Sequence, residues 1–132
     1  VAKRPQHILN LLQKGYDVLY SDVDTVWLQN PFPYFNGDEY DLFAQMEPIE
    51  PPWVCTGFVY YRSNNNTMEL MEKWITHLTR LNARESNQPV FNTVMRKMKD
   101  LKFAPKFGLN TLSPGLVKSQ FIKFVFTASL VV

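Results

Sequence analysis

One short segment constrains the fold of this chain more than any other, an apolar run that ends in two carboxylates. Residues 18–20 read Val-Leu-Tyr, which is typical of a buried strand in an α/β sheet. Asp22 and Asp24 follow at once, and side chains two positions apart in an extended segment point the same way. Ligands of open α/β sheets bind just beyond the carboxyl ends of strands, where two hard carboxylate oxygens suit Mg²⁺ or Mn²⁺. On spacing alone, a solvated acidic turn is an equal alternative.

The neighbouring segments predict two more strands and a loop anchored by aromatic side chains. A helix with an apolar face at residues 8–12 precedes the first strand, and Gly15 is placed to end it. Residues 30–35 read Asn-Pro-Phe-Pro-Tyr-Phe, and two prolines in three residues exclude regular structure there. Residues 41–46 and 56–61 have the composition of strands.

Two helices follow these strands and complete a mixed α/β pattern. Asn66 with Glu69 three residues later resembles a capping box at the start of the first helix. Pro89 suits the first position of the second helix. Each helix carries an apolar stripe at helical spacing, and strand-like runs close the chain. Helices alternating with strands in this order indicate an α/β domain with a mixed sheet flanked by helices.

Composition excludes several other classes of protein. Hydrophobic residues make up 45% of the 132 residues, enough to fill a core, so a disordered chain is excluded. The single cysteine, Cys55, cannot form an internal disulfide or a zinc ribbon. A formal net charge of +2 gives no reason to expect nucleic acid as a partner.

Several blocks, taken in order, resemble the nucleotide-diphospho-sugar transferase family, which includes plant and algal arabinosyl-, galactosyl- and xylosyltransferases. Residues 15–28 carry a G-Y-D-V-L-x-S-D-V-D-x-V-W-L block, and residues 31–35 read P-F-P-Y-F. Residues 56–63 carry a T-G-F-x-x-x-R-S block, and Trp74 lies on the helix that follows. Residues 87–92, N-Q-P-V-F-N, are similar to the D-Q-x-x-F-N block of the family.

The resemblance covers about residues 7–115 and implies a GT-A fold, a Rossmann-like mixed sheet that uses a D-x-D motif. We therefore expect residues 1–132 to form a single, partial GT-A domain of a longer protein. Carried over by residue, Asp24 would be the metal ligand, and Asp22 would contact the nucleotide ribose or bind the metal through water. Thr56 and Gly57 would lie near the donor sugar or the acceptor.

The chain departs from the family at Asn87, where the family has an acidic residue before Gln88. A carboxylate there could stabilise developing positive charge on the sugar or act as nucleophile, by analogy with retaining glycoside chemistry. An asparagine forms hydrogen bonds but carries no negative charge. Asn87 and Gln88 are the candidate catalytic residues, and capping of the next helix is the alternative role of Asn87.

The resemblance also implies an activity and a location. The expected reaction moves a pentose or galactose from a UDP-sugar to a glycan or glycoprotein, with Mn²⁺ or Mg²⁺ and retention of anomeric configuration. The implied location is the Golgi lumen, in a type II membrane protein whose anchor lies upstream of Val1.

Two alternatives remain at this stage. The run around Asp22 and Asp24 also fits a haloacid-dehalogenase-like phosphatase, in which Asp22 would be the nucleophile and Asp24 the general acid/base. That mechanism needs a later acidic pair after a strand, and Asp100 is the last acidic residue of the chain. The other alternative is a non-catalytic or degenerate transferase fragment, in which residues 116–132 match no family block.

Overall fold

A computed structural model describes residues 3–23, 25–27, 30–47, 53–81, 87–105 and 125–127. The helices are α1 Lys3–Gln13, α2 Asn65–Arg80 and α3 Asn87–Lys97. The strands are β1 Val18–Ser21, β2 Thr25–Trp27, β3 Leu42–Glu47, β4 Trp53–Tyr61, β5 Phe103–Pro105 and β6 Val125–Thr127. These elements confirm the mixed α/β class predicted from the sequence.

The main sheet has the strand order β1-β4-β3-β5. β4 is antiparallel to both of its neighbours, and β3 and β5 are parallel, so the sheet is mixed. β2 and β6 form a separate antiparallel pair. β4 is therefore the central strand against which β1 is placed, and β1 leads directly into Asp22.

All three helices cover one face of this sheet. Leu12 of α1, Trp74 of α2 and Phe91 of α3 are fully buried and belong to one apolar cluster with Val59 and Tyr61 of β4. The Trp74 and Phe91 rings meet edge to face at 4.8 Å, so α2 and α3 are packed together as well as against the sheet. Within the described residues, no helix has the length and apolar character needed to cross a bilayer.

The opposite face is covered by the aromatic loop that the two prolines predict. Phe32–Tyr34 form a single 3₁₀ turn, and Phe35 beyond it is 6% exposed. The Phe35 ring stacks on Tyr60 of β4 with centroids 4.4 Å apart and also contacts Phe43 of β3. Aromatic side chains anchor a loop whose backbone cannot join the sheet.

The end of α1 is built as the sequence predicts. Gly15 has φ +86°, a conformation that side chains disfavour, and it closes a Schellman-type turn. Its N–H donates to the Leu12 carbonyl at 2.9 Å, and the N–H of Tyr16 donates to the Leu11 carbonyl at 3.1 Å. The turn directs the chain into β1.

The start of α2 differs from the predicted capping box. Asn64, not Asn66, is the cap, and its side chain accepts a hydrogen bond from the Thr67 N–H at 3.0 Å. Asn64 also donates to the Asp41 carboxylate at 2.8 Å, and Asn66 donates to the same carboxylate at 3.1 Å. The Thr67 hydroxyl in turn accepts from the Asn64 N–H at 3.3 Å, so the capping box joins Asn64 and Thr67 rather than Asn66 and Glu69.

Candidate functional site

The site lies where β1 ends against the middle of β4. The β1–β4 ladder finishes at the pair Ser21 and Phe58. The backbone N–H of Asp22, the next residue, donates to the Gly57 carbonyl at 2.8 Å. Asp22 therefore leaves the strand beside the T-G-F segment of β4, although 35 residues separate Asp22 from Gly57 in the chain.

Thr56, Gly57 and Phe58 form a bulge in β4, which we call the T-G-F bulge. β3 pairs Ala44 with Val59 and then Gln45 with Cys55, so these three residues of β4 have no partner on β3. Bulges bend a strand and re-aim its side chains, and they occur often beside active sites. The bulge frees the T-G-F segment from the regular ladder at the point where Asp22 arrives.

Groups from three other segments form hydrogen bonds with the backbone of the bulge. The Thr56 N–H donates to Oε1 of Gln88 at the start of α3, at 3.2 Å. The Thr56 carbonyl accepts from the guanidinium of Arg4 on α1, at 3.1 Å. With Asp22 bonded to Gly57, the bulge joins α1, α3 and the end of β1 at one place.

Gly57 is required here by the close approach of Asp22. A Cβ atom at position 57 would overlap Oδ2 of Asp22 and lie 3.1 Å from its Cγ. Backbone-to-ligand and backbone-to-side-chain approaches of this kind are a common reason for glycine inside a strand. The carboxylate of Asp22 thus occupies space that only a glycine leaves open.

Tyr20 and Arg4 set the surroundings of the Asp22 carboxylate. The Tyr20 hydroxyl donates to Oδ1 of Asp22 at 2.9 Å, which fixes one oxygen of the half-buried carboxylate. The Arg4 guanidinium lies over the Tyr20 ring, 4.7 Å from its centroid. Burial and then the hydrogen bond to Asp22 raise the pKa of Tyr20 above its usual value, so the hydroxyl stays protonated as a donor at neutral pH.

The structure brings together four of the six site residues predicted from the sequence: Asp22, Thr56, Gly57 and Gln88. Asn87 adjoins them as the first residue of α3, which begins two residues before Pro89. Asp24 lies outside the described residues.

Sequence reasoning missed Arg4, Tyr20 and Asn92. No signal in the sequence singles out Arg4, whose bonding partner lies 52 residues away. Asn92 has a signal, since it is a polar residue on the apolar stripe of α3. The catalytic and binding roles of the predicted residues stay predictions.

Asp22 is the one carboxylate among the site residues that the structure describes. Within that part of the chain, no group of three or more His, Cys, Asp or Glu side chains is placed to hold a metal ion. Oδ1 of Asp22 already accepts from Tyr20, and Oδ2 points into the space that Gly57 leaves open. A carboxylate fixed in this way is a suitable ligand for a hard divalent cation, which would take its remaining ligands from outside the described site residues.

Comparison with known proteins identifies the family. The sequence pattern of the family described as nucleotide-diphospho-sugar transferase matches residues 1–125. The chain belongs to the nucleotide-diphospho-sugar transferase family. This confirms the resemblance carried by the D-V-D, T-G-F and N-Q-P-V-F-N blocks, and the transferase family gives the phosphatase alternative no support.

Individual relatives of the chain are transferases of several sugars. An Arabidopsis thaliana UDP-D-xylose:L-fucose alpha-1,3-D-xylosyltransferase is 38% identical over 73% of this chain and 32% of its own length. A Dictyostelium discoideum UDP-galactose:fucoside alpha-3-galactosyltransferase is 33% identical over 58% of this chain and 13% of its own length. An Arabidopsis beta-arabinofuranosyltransferase is 34% identical over 64% of this chain and 17% of its own length.

The chain spans about a third of the length of the xylosyltransferases that it matches. No solved structure matches it.

Proposed function

We propose that this chain forms the donor site of a glycosyltransferase that moves a pentose or galactose from a UDP-sugar to a glycan or glycoprotein. The observation that carries the proposal is the Asp22 carboxylate, held between the Tyr20 hydroxyl and Gly57 beside the T-G-F bulge. Membership of the transferase family supports a nucleotide-sugar donor. The activities of the relatives support xylose, galactose or arabinose as the transferred sugar.

A divalent cation, Mn²⁺ or Mg²⁺, would be held by Asp22 and Asp24 in this proposal. When bound, it supplies positive charge that stabilises the nucleoside diphosphate as it leaves. Tyr20 supports this role by orienting Asp22 through the 2.9 Å hydrogen bond. Gly57 supports it by leaving room for the second carboxylate oxygen.

The sugar would lie between the T-G-F bulge and the start of α3. Oε1 of Gln88 is bonded to Thr56, which leaves Nε2 with two N–H groups free of partners within the described residues. That amide can donate to a hydroxyl of the sugar and orient it. Asn87 can also donate or accept but offers no negative charge, so hydrogen bonding rather than a side-chain carboxylate would stabilise the developing positive charge of the sugar ring here.

We further propose retention of anomeric configuration and a lumenal position in the Golgi, in a type II membrane protein. Both follow from the resemblance of the D-V-D, T-G-F and N-Q-P-V-F-N blocks to the family. With no carboxylate at Asn87 to form a covalent intermediate, the acceptor hydroxyl would bond to the anomeric carbon on the face that the phosphate leaves, and the departing phosphate would take the hydroxyl proton.

The test is turnover with a panel of donors. The chain is incubated with Mn²⁺, UDP-xylose, UDP-galactose or UDP-arabinose and a fucoside acceptor, and NMR follows both UDP release and the product linkage. We expect one donor to be consumed with the anomeric configuration kept. Asp22→Asn should abolish the reaction, and Asp38→Asn, an equal charge change in an exposed loop, should not. Consumption of no donor above the Asp22→Asn background would refute the function, and an inverted product would refute retention alone.

A further inference from the structure

Asn92 is a buried polar residue among apolar neighbours. It is 1% exposed and lies on the stripe of α3 that packs into the core. Burying an amide without hydrogen-bond partners is strongly unfavourable. The position is compatible with the fold only if both ends of the amide are bonded.

The Asn92 amide meets this requirement by pairing with β4 as a neighbouring strand would. Oδ1 accepts from the Val54 N–H at 2.7 Å, and Nδ2 donates to the Val54 carbonyl at 2.9 Å. A further bond runs from Nδ2 to the Gln88 carbonyl at 2.9 Å. One side chain thereby holds a residue of β4 and the first turn of α3.

Gln88 continues this pairing one helical turn earlier, with its Oε1 bonded to the Thr56 N–H. Residues four apart on a helix are separated by roughly 6 Å along its axis. Residues two apart on a strand, such as Val54 and Thr56, are separated by roughly 6.6 Å, so the two spacings match. The edge of α3 thus bonds to alternate residues of β4 beyond the point where the β1 ladder ends.

We propose that Asn92 is a positioning residue for the donor site. It fixes Val54 and the Gln88 turn, and through them it holds the T-G-F bulge with Gly57 beside the Asp22 carboxylate. The hydrogen bonds that hold the bulge do not depend on a ligand. The effect of Asn92 on binding of the UDP-sugar donor rests on the proposed function. Neither the sequence blocks nor the relatives assign this role to Asn92.

The test replaces the donor end of the amide with an acceptor. Asn92→Asp keeps Oδ1 for the Val54 N–H but turns Nδ2 into an oxygen that faces two carbonyls. Burial raises the pKa of such a carboxyl, so it is protonated and donates again at low pH. We expect the affinity for UDP with Mn²⁺ to fall about tenfold relative to the wild-type chain at pH 8 and to return within about twofold at pH 5.5.

The matched control is Thr93→Val on the same helix. Thr93 is exposed, and its hydroxyl donates to the Pro89 carbonyl at 2.9 Å without contacting β4. The Thr93→Val chain should bind UDP as the wild type does at both pH values. An Asn92→Asp chain whose affinity relative to wild type does not change with pH would overturn the proposal, because protonation restores a donor for the Val54 and Gln88 carbonyls.

Amide hydrogen exchange separates this proposal from the proposed function. In the wild-type chain, the Val54 and Thr56 amides should exchange as slowly as the core amide of Val59. If these two amides exchange as fast as amides without hydrogen bonds, Asn92 and Gln88 do not hold the bulge. The proposal then fails, whether or not Asn92→Asp folds. If they are protected but the wild type binds no UDP, the proposed function fails and the positioning of the bulge stands.

Discussion

Replacing Gly57 by alanine tests whether the space beside Asp22 matters for binding more than for stability. The added Cβ would overlap Oδ2 of Asp22, and the carboxylate would have to rotate away from Tyr20 to make room. Rotation of the half-buried carboxylate relieves most of the clash, so we expect a stability loss of about 1–2 kcal/mol, near the low end for overpacking. For a chain of this size, such a loss of stability lowers Tm by several degrees.

The loss of binding should be larger than the loss of stability. Moving the Asp22 carboxylate displaces a ligand of the proposed cation, and we expect UDP with Mn²⁺ to bind roughly ten- to hundredfold more weakly, about 1.4–2.8 kcal/mol. The assay is a thermal melt of the Gly57→Ala chain with and without Mn²⁺ and UDP, in which bound ligand raises Tm.

Gly15→Ala is the matched control for this experiment. Gly15 has φ +86° and open space around it, so alanine there adds backbone strain of about 1–2 kcal/mol far from the site. Its Tm should fall by a similar amount while its shift with UDP and Mn²⁺ stays at the wild-type value. Equal ligand shifts in both variants and the wild type would refute the argument that Gly57 places the Asp22 carboxylate for binding.

Two further substitutions test the packing that supports the site. Tyr61→Phe should be neutral or stabilising in urea denaturation at pH 7, because the buried Tyr61 hydroxyl has no hydrogen-bond partner within the described residues. Burial raises the pKa of Tyr61, so its contribution to stability is intact below the ordinary tyrosine value of about 10 and declines as pH rises beyond it. The variant should therefore lose less stability than wild type between pH 9 and 11, and an unchanged alkaline decline would contradict this. Asn64→Ala should cost about 1–3 kcal/mol, because it removes the cap of α2 and the bond to Asp41. The exposed neighbour should tolerate Asn65→Ala within about 0.5 kcal/mol, and equal midpoints for the two variants in urea would contradict the capping assignment.

The sequence predicted those parts of the fold that local chemistry determines. Gly15 ends α1 because only glycine adopts its positive φ without strain, and this can be read from one residue. The prolines between residues 30 and 35 forced a loop, and its aromatic side chains could reach the sheet. The start of α2 was placed wrongly because three asparagines in a row are equally good caps. Asn64 is the cap because Thr67 completes the box three residues later, while Glu69 forms an ion pair with Lys73 at 2.7 Å instead.

The candidate site was predicted only as separate pieces. The D-V-D and T-G-F blocks each suggested a ligand, but their contact depends on the β1–β4 register and on the bulge. Neither feature can be predicted from a short stretch of sequence, because a register and a bulge both depend on how two strands pair. Arg4 was missed for the same reason, because its bond to Thr56 joins α1 to the centre of the sheet. In the N-Q-P-V-F-N block the sequence predicts catalytic roles for Asn87 and Gln88, whereas the final asparagine, Asn92, bonds the backbone of β4.

Calorimetric titration of UDP into the chain tests the central claim most directly. We expect UDP to bind when Mn²⁺ is present, to stop binding when a chelator removes the metal, and to bind at least about tenfold more weakly to Asp22→Asn. Asp38→Asn should bind as the wild type does, because it makes the same charge change on a fully exposed side chain. Binding of equal strength in the chelator, or in Asp22→Asn, would contradict a donor site built on the Asp22 carboxylate.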